Sequence, residues 1–489
     1  MNIKDDYILK DINEGYLVGG MVRDYFISDL TGKNIVSFDR DISIKNAENF
    51  AKELALKLDA TFIILDNENK IYRLVMSDKK NYMDISELRG NSIEEDLRKR
   101  DFTINAIAYD LKNQTFIDVT NGIYDIKNKK LNSINEENFT DDPLRILRAF
   151  RFASTTGFEL DDTLLAIITK YKNLITKPAK ERIHDELLKL FGGDYAARTL
   201  IKMYDMAILS IIFPFVKDMA KVPPNSHHHL DLIHHSIETV NQIELQYKSL
   251  TNEECKYHLN SIDFGGYPRI NHLKLAGFLH DIGKYSTWTV EQDGKTIWSI
   301  DDGLPYPTSL NLRHRFIKHD SVGAKMVLPI LKELKFSNKQ TEYISQMIKQ
   351  HIYPSNVVSA PNLDNKIMMR YVRKMENNVI DNIILAKADR LSAQGPDITH
   401  EITENNINGL NKLLEFYLEV KPTLKPLPKL LDGNDVMQIL GLKQSPELGK
   451  IMKALLESQI SGDINTKTEA IEFVKKLALK HECNRSVIN

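Results

Sequence analysis

The spacing of apolar positions changes character along the chain. Between residues 15 and 120, short runs rich in β-branched and aromatic residues alternate apolar and polar positions: Tyr16 to Val18, Ile35 to Ile44, Thr61 to Leu65, Ile71 to Met76 and Tyr82 to Ile85. A helical spacing interrupts them at Ala47 to Leu58, so this part predicts a small mixed α/β unit. From Asp142 to about Phe215 the apolar residues recur at helical intervals, Pro143 and Pro178 stand where helices begin, and no strand pattern is visible. Pro223 and Pro224, followed by His227, His228 and His229, mark a boundary. A third helical region runs to about Ala393. It is interrupted by a hairpin pattern from Trp288 to Trp298 that turns at Asp293-Gly294. Pro422, Pro426 and Pro428 precede a last helical unit, in which Ser445-Pro446-Glu447 and Thr468-Glu469 read as helix starts. The expected architecture is α+β: a mixed α/β head over residues 1–140, helical units over 141–220 and 221–400, and a terminal helical segment over 401–489.

With 42% hydrophobic and 27% charged residues, the chain is globular rather than disordered or fibrous. Its 65 basic and 67 acidic residues nearly cancel, so a nucleic-acid partner would show only as a local basic face. Lys170, Lys172, Lys177, Lys180, Arg182 and Lys189 form one such cluster, which by itself reads equally as a solvated helix face. Cys255 and Cys483 are far apart and form no Cys-x-x-Cys spacing, which excludes a disulfide framework and fits a reducing, cytoplasmic setting. The longest apolar run, Met206 to Val216, is about half the roughly 20 residues of a membrane span. No membrane association and no protein partner is readable.

The first chemical signal is the strand Phe38 to Ile44. Alternation puts Asp39 and Asp41 on one face and Arg40, Ile42 and Ile44 on the other. Two carboxylates about 7 Å apart along a strand can share two divalent cations, the arrangement phosphoryl and nucleotidyl transfer use. Alone, the pair reads equally as two solvated residues. Upstream, however, Val18-Gly19-Gly20-Met21 runs from a strand end through paired glycines into a helix start, where backbone amides favour phosphate oxygens. Strand, glycine turn, helix and carboxylate strand in that order suggest a nucleoside triphosphate pocket.

The residues Gly19 to Asp24 (Gly-Gly-Met-Val-Arg-Asp), Asp39-Arg40-Asp41, Lys99 to Ala106 (Lys-Arg-Asp-Phe-Thr-Ile-Asn-Ala), Asp141 to Ala153 and Lys180 to Leu187 occur in order. This succession resembles the class II tRNA nucleotidyltransferase family, which includes CCA-adding enzymes and bacterial poly(A) polymerases of the polymerase β superfamily. Lys99 replaces the family's first arginine, Asp141 its glutamate, and Leu431 to Val474 is similar to its terminal helical segment. The resemblance implies a polymerase-β-like head in which Asp39 and Asp41 hold Mg²⁺, with Asp84 as a third acid. Gly19, Gly20 and Arg23 would cradle the triphosphate. Arg100 and Asp101 would hold the ribose, with Asn105 and Thr103 supporting the loop, although Arg100 and Asp101 also read as a surface ion pair. Asp142 and Arg145, at i and i+3 on a helix, would read the amine-bearing edge of C or A, with Arg148 and Arg151 binding the nucleotide beside them. Asp142 before Pro143 also reads as an N-cap. The partners implied are tRNA, CTP and ATP.

A second constellation follows: His235, His280-Asp281, His319, His351 and Asp389. This order resembles the HD phosphohydrolase superfamily, with His235, His280, Asp281 and Asp389 as core ligands and His319 and His351 matching the extra histidines of members with a second metal. The metal implied is a divalent transition ion such as Mn²⁺, Ni²⁺ or Fe²⁺. His227, His228, His229 and His234 are weaker candidates. The expected activity is template-independent addition of C, with A open, to tRNA 3′ ends, beside a metal-dependent phosphohydrolase. The alternatives are a CC-only enzyme, a poly(A) polymerase, or mainly an HD phosphohydrolase. The CC-only reading comes from the short link Leu88 to Asn91, where Ser92 and Glu95 form a capping-box signature and leave little room for the long loop that CCA-adding members carry.

Overall fold

The computed structural model describes residues 3, 6–32, 40–308, 312–424, 426–460 and 462–485. The chain forms two compact units: Met1–Lys221 with Ile262–Leu275 and Val327–Glu342, and Val222–Ser261 with Ala276–Met326 and Tyr343–Asn489.

The first unit carries a seven-stranded sheet. Its strands are β1 (Tyr16–Val18), β2 (Arg40–Ile44), β3 (Thr61–Asp66), β4 (Ile71–Val75), β5 (Tyr82–Glu87), β6 (Ile107–Asp110) and β7 (Thr115–Asp118), in the order β3-β4-β5-β2-β1-β6-β7. Only β2 and β5 run parallel; the other neighbours are antiparallel. The helices Gly20–Thr31 and Ala47–Lys57 bury Met21, Val22, Ala51 and Leu54. Leu17, Ile42, Leu74, Met83 and Ile85 form the buried side of the strands. All four residues of β6 are buried, so it lacks the alternation that marks a half-exposed strand and was not expected from the pattern. Of the strand expected from Ile35, residues 35 to 39 lie outside the described residues.

Beyond the sheet, the helix Leu144–Thr156 packs on the helix Lys180–Gly192 through Ile146, Leu147, Phe150, Leu187 and Leu190. One correction concerns the stretch expected to be free of strands: Glu159–Leu160 (β9) pairs in parallel with Lys130–Leu131 (β8). Two residues are too few to leave a period in the sequence.

In the second unit the helix Leu232–Ser249 packs on the helix Val379–Ser392. The hairpin forms as expected, from β10 (Trp288–Gln292) and β11 (Lys295–Ser299), with Asp293 and Gly294 both at positive φ, as a type I′ turn requires. A strand not expected, β12 (Arg313–Phe316), pairs with the other side of β10. Val436, Ile451, Leu455 and Val474 form a separate core among the last three helices, Gly433–Leu440, Pro446–Ile460 and Lys467–Arg485. The last of these is capped by Thr466, whose Oγ1 accepts from the Glu469 amide, rather than starting at Thr468. Among the described residues, no helix is long and apolar enough to cross a membrane.

Candidate functional site

In the first unit, antiparallel pairing of β1 with β2 puts Val18 opposite Asp41, and Gly19 follows at φ 76°. A Cβ at position 19 would stand 3.1 Å from Asp41 Oδ2, so glycine lets the turn lie against the carboxylate while also supplying its backbone angle. The helix Gly20–Thr31 starts at this point and directs its first amides there. Parallel register sets Asp84 of β5 beside Asp41, and antiparallel register sets Arg73 of β4 beside Asp84. Arg73 grips Asp84 with two hydrogen bonds of 2.7 and 2.8 Å, so the third acid is an ion-paired carboxylate rather than an open ligand. Asp39 lies outside the described residues. Arg40 turns to the opposite face, where it is buried and paired with Asp6 at 2.7 Å, an anchor the sequence pattern did not reveal.

A network of arginines and carboxylates adjoins this face. Arg23 donates to Asn105 Oδ1 (2.9 Å), and Asn105 donates to Asp101 (3.0 Å). Asp101 also accepts from Arg148 Nε and one of its terminal nitrogens at 2.9 and 2.6 Å, and from the Phe102 amide. Burial would raise the Asp101 pKa, but Arg148, Asn105 and this amide hold it far below the usual carboxylate range. Four donors saturate a carboxylate that was expected to hold the ribose. In this structure they tie it to Arg148, Asn105 and its own loop. Glu186 receives Arg148 (3.4 Å) and Arg151 (2.9 Å), and the Arg151 guanidinium lies 3.6 Å over the Phe152 ring. Burial, opposed by Glu186 and reinforced by Arg148 and Arg23, pushes Arg151 down to about 10. Asp24, Asp101 and Glu186 thus pair with Arg23, Arg148 and Arg151, which fixes three half-buried guanidinium groups in place.

Asp142 and Arg145 do not share a helix face as expected, because the helix begins only at Leu144. Asp142 is extended, accepts from the Leu144 amide (3.2 Å), and takes a 2.7 Å hydrogen bond from Arg182. Its N-cap-like role is therefore real. Arg145 donates to Lys99 O at 3.2 Å, while its Nη1 is buried without a partner. Arg100 is held by Asp96 (2.9 Å) and donates to Ser43 (3.1 Å), so it too has partners within the site. The link from β5 to the helix Ile93–Arg98 is as short as expected: Ser92 Oγ accepts from the Glu95 amide at 3.4 Å, and Glu95 accepts from the Asn91 amide at 2.9 Å. Sequence reasoning quoted the segment holding Glu186 without assigning it a part, and placed Arg182 only in a basic cluster. It gave no hint of Arg73 or Asp96.

In the second unit, His235, His280, His319, His351, Asp281 and Asp389 come together. Asp281 Oδ2 lies 3.1 Å from His280 Nε2 and 3.4 Å from His235 Nε2, and its Oδ1 lies 3.2 Å from His319 Nε2 and 3.6 Å from His351 Nε2. Asp389 Oδ1 lies 3.1 Å from His235 and 3.4 Å from His280. Ligand atoms each about 2.1 Å from one ion stand roughly 3.0 to 3.4 Å apart, so these spacings suit coordination. Each ring is oriented from behind by a carbonyl accepting from Nδ1: Gly277 for His280, Ile348 for His351 and Phe316 for His319, all at 2.7 Å, with Ser392 for His235 at 3.4 Å. That fixes Nε2 as the inward ligand atom. Burial disfavours charge on His280, yet Asp281 and Asp389 hold its pKa at about 10, while burial and His280 push His351 down to about 4. Two carboxylates among four imidazoles form a donor set that fits a divalent ion. His228, named only as a weaker candidate, also lies within the cluster, and its Nε2 accepts from Lys284 at 3.1 Å. The other weaker candidates, His227, His229 and His234, are not among the grouped ligands.

Comparisons with known proteins agree with this division. Residues 15–132 match the family described as the poly A polymerase head domain, 157–219 a probable RNA- and SrmB-binding site of polymerase A, and 232–394 the HD domain. The chain is a nucleotidyltransferase of the poly(A) polymerase and tRNA nucleotidyltransferase family, joined to an HD domain. Among its relatives are an A-adding tRNA nucleotidyltransferase of Deinococcus radiodurans, 29% identical over 94% of this chain and 95% of the relative, and a CC-adding tRNA nucleotidyltransferase of Thermus thermophilus, 27% identical over 94% and 93%. In fold it is similar to the Bacillus stearothermophilus CCA-adding enzyme in complex with CTP, with a TM-score of 0.56 at 18% identity over 98% of this chain and 96% of that one. It is also similar to the Thermotoga maritima CCA-adding enzyme complexed with tRNA, with a TM-score of 0.51 at 19% identity over 96% and 93%. Both kinds of domain imply dependence on divalent metal.

Proposed function

We propose that the first unit transfers cytidylate from CTP to the 3′ end of tRNA without a nucleic-acid template, in the cytoplasm. The observation that carries this reading is the Gly19 turn packed on Asp41 beside a half-buried arginine cluster, a site with a carboxylate for metal and fixed cations for a nucleotide. Mg²⁺ bound by Asp39 and Asp41 would activate the primer 3′ hydroxyl and steady the pyrophosphate. Gly19 and Gly20 present amides to the triphosphate, and Arg23, fixed by Asn105, adds a cation. Asp101 and Glu186 hold Arg148 and Arg151 against the nucleotide, and Asp84 keeps Arg73 in place. Arg100 reaches the ribose. Asp142 and Arg145 read the base edge: Arg145 brings an unpaired buried donor, Asp142 an acceptor oriented by Arg182, and together they favour C or A over G or U.

Whether A follows C turns on the short link between β5 and the next helix. Tied down by Ser92 and Glu95, it favours a CC-only product, because a pocket that switches to a larger purine must move its base-reading edge. The experiment is incubation of tRNA lacking its 3′ end with CTP and ATP, followed by product sequencing. Added CC supports the proposal, CCA moves it to the full reaction, a run of A on any RNA assigns a poly(A) polymerase, and no addition refutes it.

For the second unit we propose a phosphohydrolase dependent on a transition ion, Mn²⁺, Ni²⁺ or Fe²⁺, that His235, His280, Asp281 and Asp389 would hold, with His319 and His351 placed to serve a second ion. The two oxygens of Asp281 face different histidine pairs, His235 and His280 on one side and His319 and His351 on the other.

A further inference from the structure

The cluster of histidines and aspartates opens into a cavity of about 260 Å³. Three permanent cations line it: Lys284, Arg315 and Arg390. Two of them are already engaged. Lys284 lies 2.6 Å from Asp281 and donates to His228, and Arg315 donates to Glu291 at 3.1 Å. The guanidinium of Arg390 makes no ion pair or hydrogen bond among the described residues, and its Nε is buried without a partner. A buried N–H left unsatisfied costs roughly 1 to 3 kcal/mol, so it calls for an acceptor that arrives from elsewhere.

Arg390 follows directly after Asp389, on the helix Val379–Ser392, so its position is set by the same turn that presents a metal ligand. A guanidinium beside divalent ions is repelled by them unless an anion lies between. The cavity is also lined by the turn Asn225 to His228, packed on residues 395–397 through the bonds Gly395 N to His227 O (2.9 Å) and Asp397 N to Ser226 O (2.8 Å). A Cβ on Gly395 would come within 2.4 Å of the His227 carbonyl carbon, which keeps the two segments in close contact. The cavity therefore combines a fixed wall with a guanidinium that has no partner among the described residues.

We infer that Arg390 is the phosphate-binding residue of this cavity, and that the ligand is a terminal phosphate. The inference rests on the metal-bound HD reading. A guanidinium edge takes two oxygens at once, and the metal cluster needs at least one more. A phosphomonoester offers three terminal oxygens and inorganic phosphate four. A phosphodiester offers only two. The pocket is thus matched to a monoester, whether the phosphate ends a nucleotide or is free in solution.

Calorimetry on the full-length protein loaded with Mn²⁺ tests this, with inorganic phosphate, cytidine 5′-monophosphate and dimethyl phosphate as separate probes and metal content measured alongside. Wild type is expected to bind the first two and to bind dimethyl phosphate roughly tenfold more weakly or less. Arg390→Met should weaken phosphate binding by roughly tenfold or more at unchanged metal content, and Arg390→Lys should restore part of it. Tighter binding of cytidine 5′-monophosphate than of inorganic phosphate would identify a nucleotide as the source, and equal binding would identify the phosphate group alone. Arg390→Met binding phosphate as wild type does, with its metal intact, would overturn the inference, as would dimethyl phosphate binding as tightly as phosphate. Wild type that retains no metal would overturn the HD reading itself and the inference with it.

Discussion

In the helical unit every imidazole that faces Asp281 or Asp389 is held from behind by a carbonyl, whereas in the sheet unit Asp41 meets a glycine turn and Asp84 is tied to Arg73. The first arrangement presents six candidate ligands, four of them buried, and leaves an open side toward the cavity for a substrate oxygen. The second is an assembly of arginines beside a carboxylate face, in which Asp24, Asp101 and Glu186 already hold Arg23, Arg148 and Arg151 in place. The difference teaches that a resident metal demands orientation of the ligands, while a metal that travels with a triphosphate demands room and counter-charge.

The comparison can be broken most severely at the helical site. His280→Ala with Asp281→Ala removes ligands from both sides of the cluster, and bound transition metal, measured by plasma emission on the purified protein, should fall to nil while the sheet unit keeps its fold. Retained metal would mean that the ligands lie elsewhere. Next in size is Asp101→Asn, which removes the charge that fixes Arg148. Loss of its charge-assisted bonds should cost about 1.5 to 3 kcal/mol. Because the folded-state pKa of Asp101 is depressed, this stability is present above its unfolded value near about 3.9 and is lost as pH falls below it. Thermal melts at pH 7 and pH 3 should therefore differ less for the variant than for wild type, and an unchanged difference would exclude the role.

Asp142→Ala or Arg145→Ala should sharpen the account of base reading, with about 1 to 3 kcal/mol of discrimination against UTP and GTP lost in single-nucleotide incorporation. Arg182→Ala should give a smaller loss of the same kind, because it only orients Asp142; equal rejection in all three variants would remove the base-reading role. The smallest effect is expected from Gly19→Ala. A methyl at positive φ and 3.1 Å from Asp41 Oδ2 should cost about 1 kcal/mol of stability and displace the carboxylate, raising the KM for CTP. An unaltered KM would show that the turn does not touch the nucleotide.

What could be read from the sequence follows the same division. Alternation revealed β4 and β5, because one face of each is wetter than the other, while β6 is buried throughout and carries no period. The histidine and aspartate cluster of the helical unit was legible because His280-Asp281 and the surrounding histidines are rare residue types in apolar helices. Asp142 and Arg145 were legible as residues but not as geometry: a helix start two residues later than the pattern implied puts Asp142 in the turn before it. The partners Arg73, Asp6 and Glu186 were hidden because common charged residues acquire meaning only from strand register and helix packing.

The most direct measurement is incorporation of labelled cytidylate into tRNA lacking its 3′ end, compared between Asp41→Ala and the His280→Ala, Asp281→Ala double variant under Mg²⁺. The account predicts a loss of at least roughly a hundredfold in the first and wild-type incorporation in the second. Full incorporation by Asp41→Ala, or its loss in the double variant with the fold intact, would contradict two separate sites in one chain.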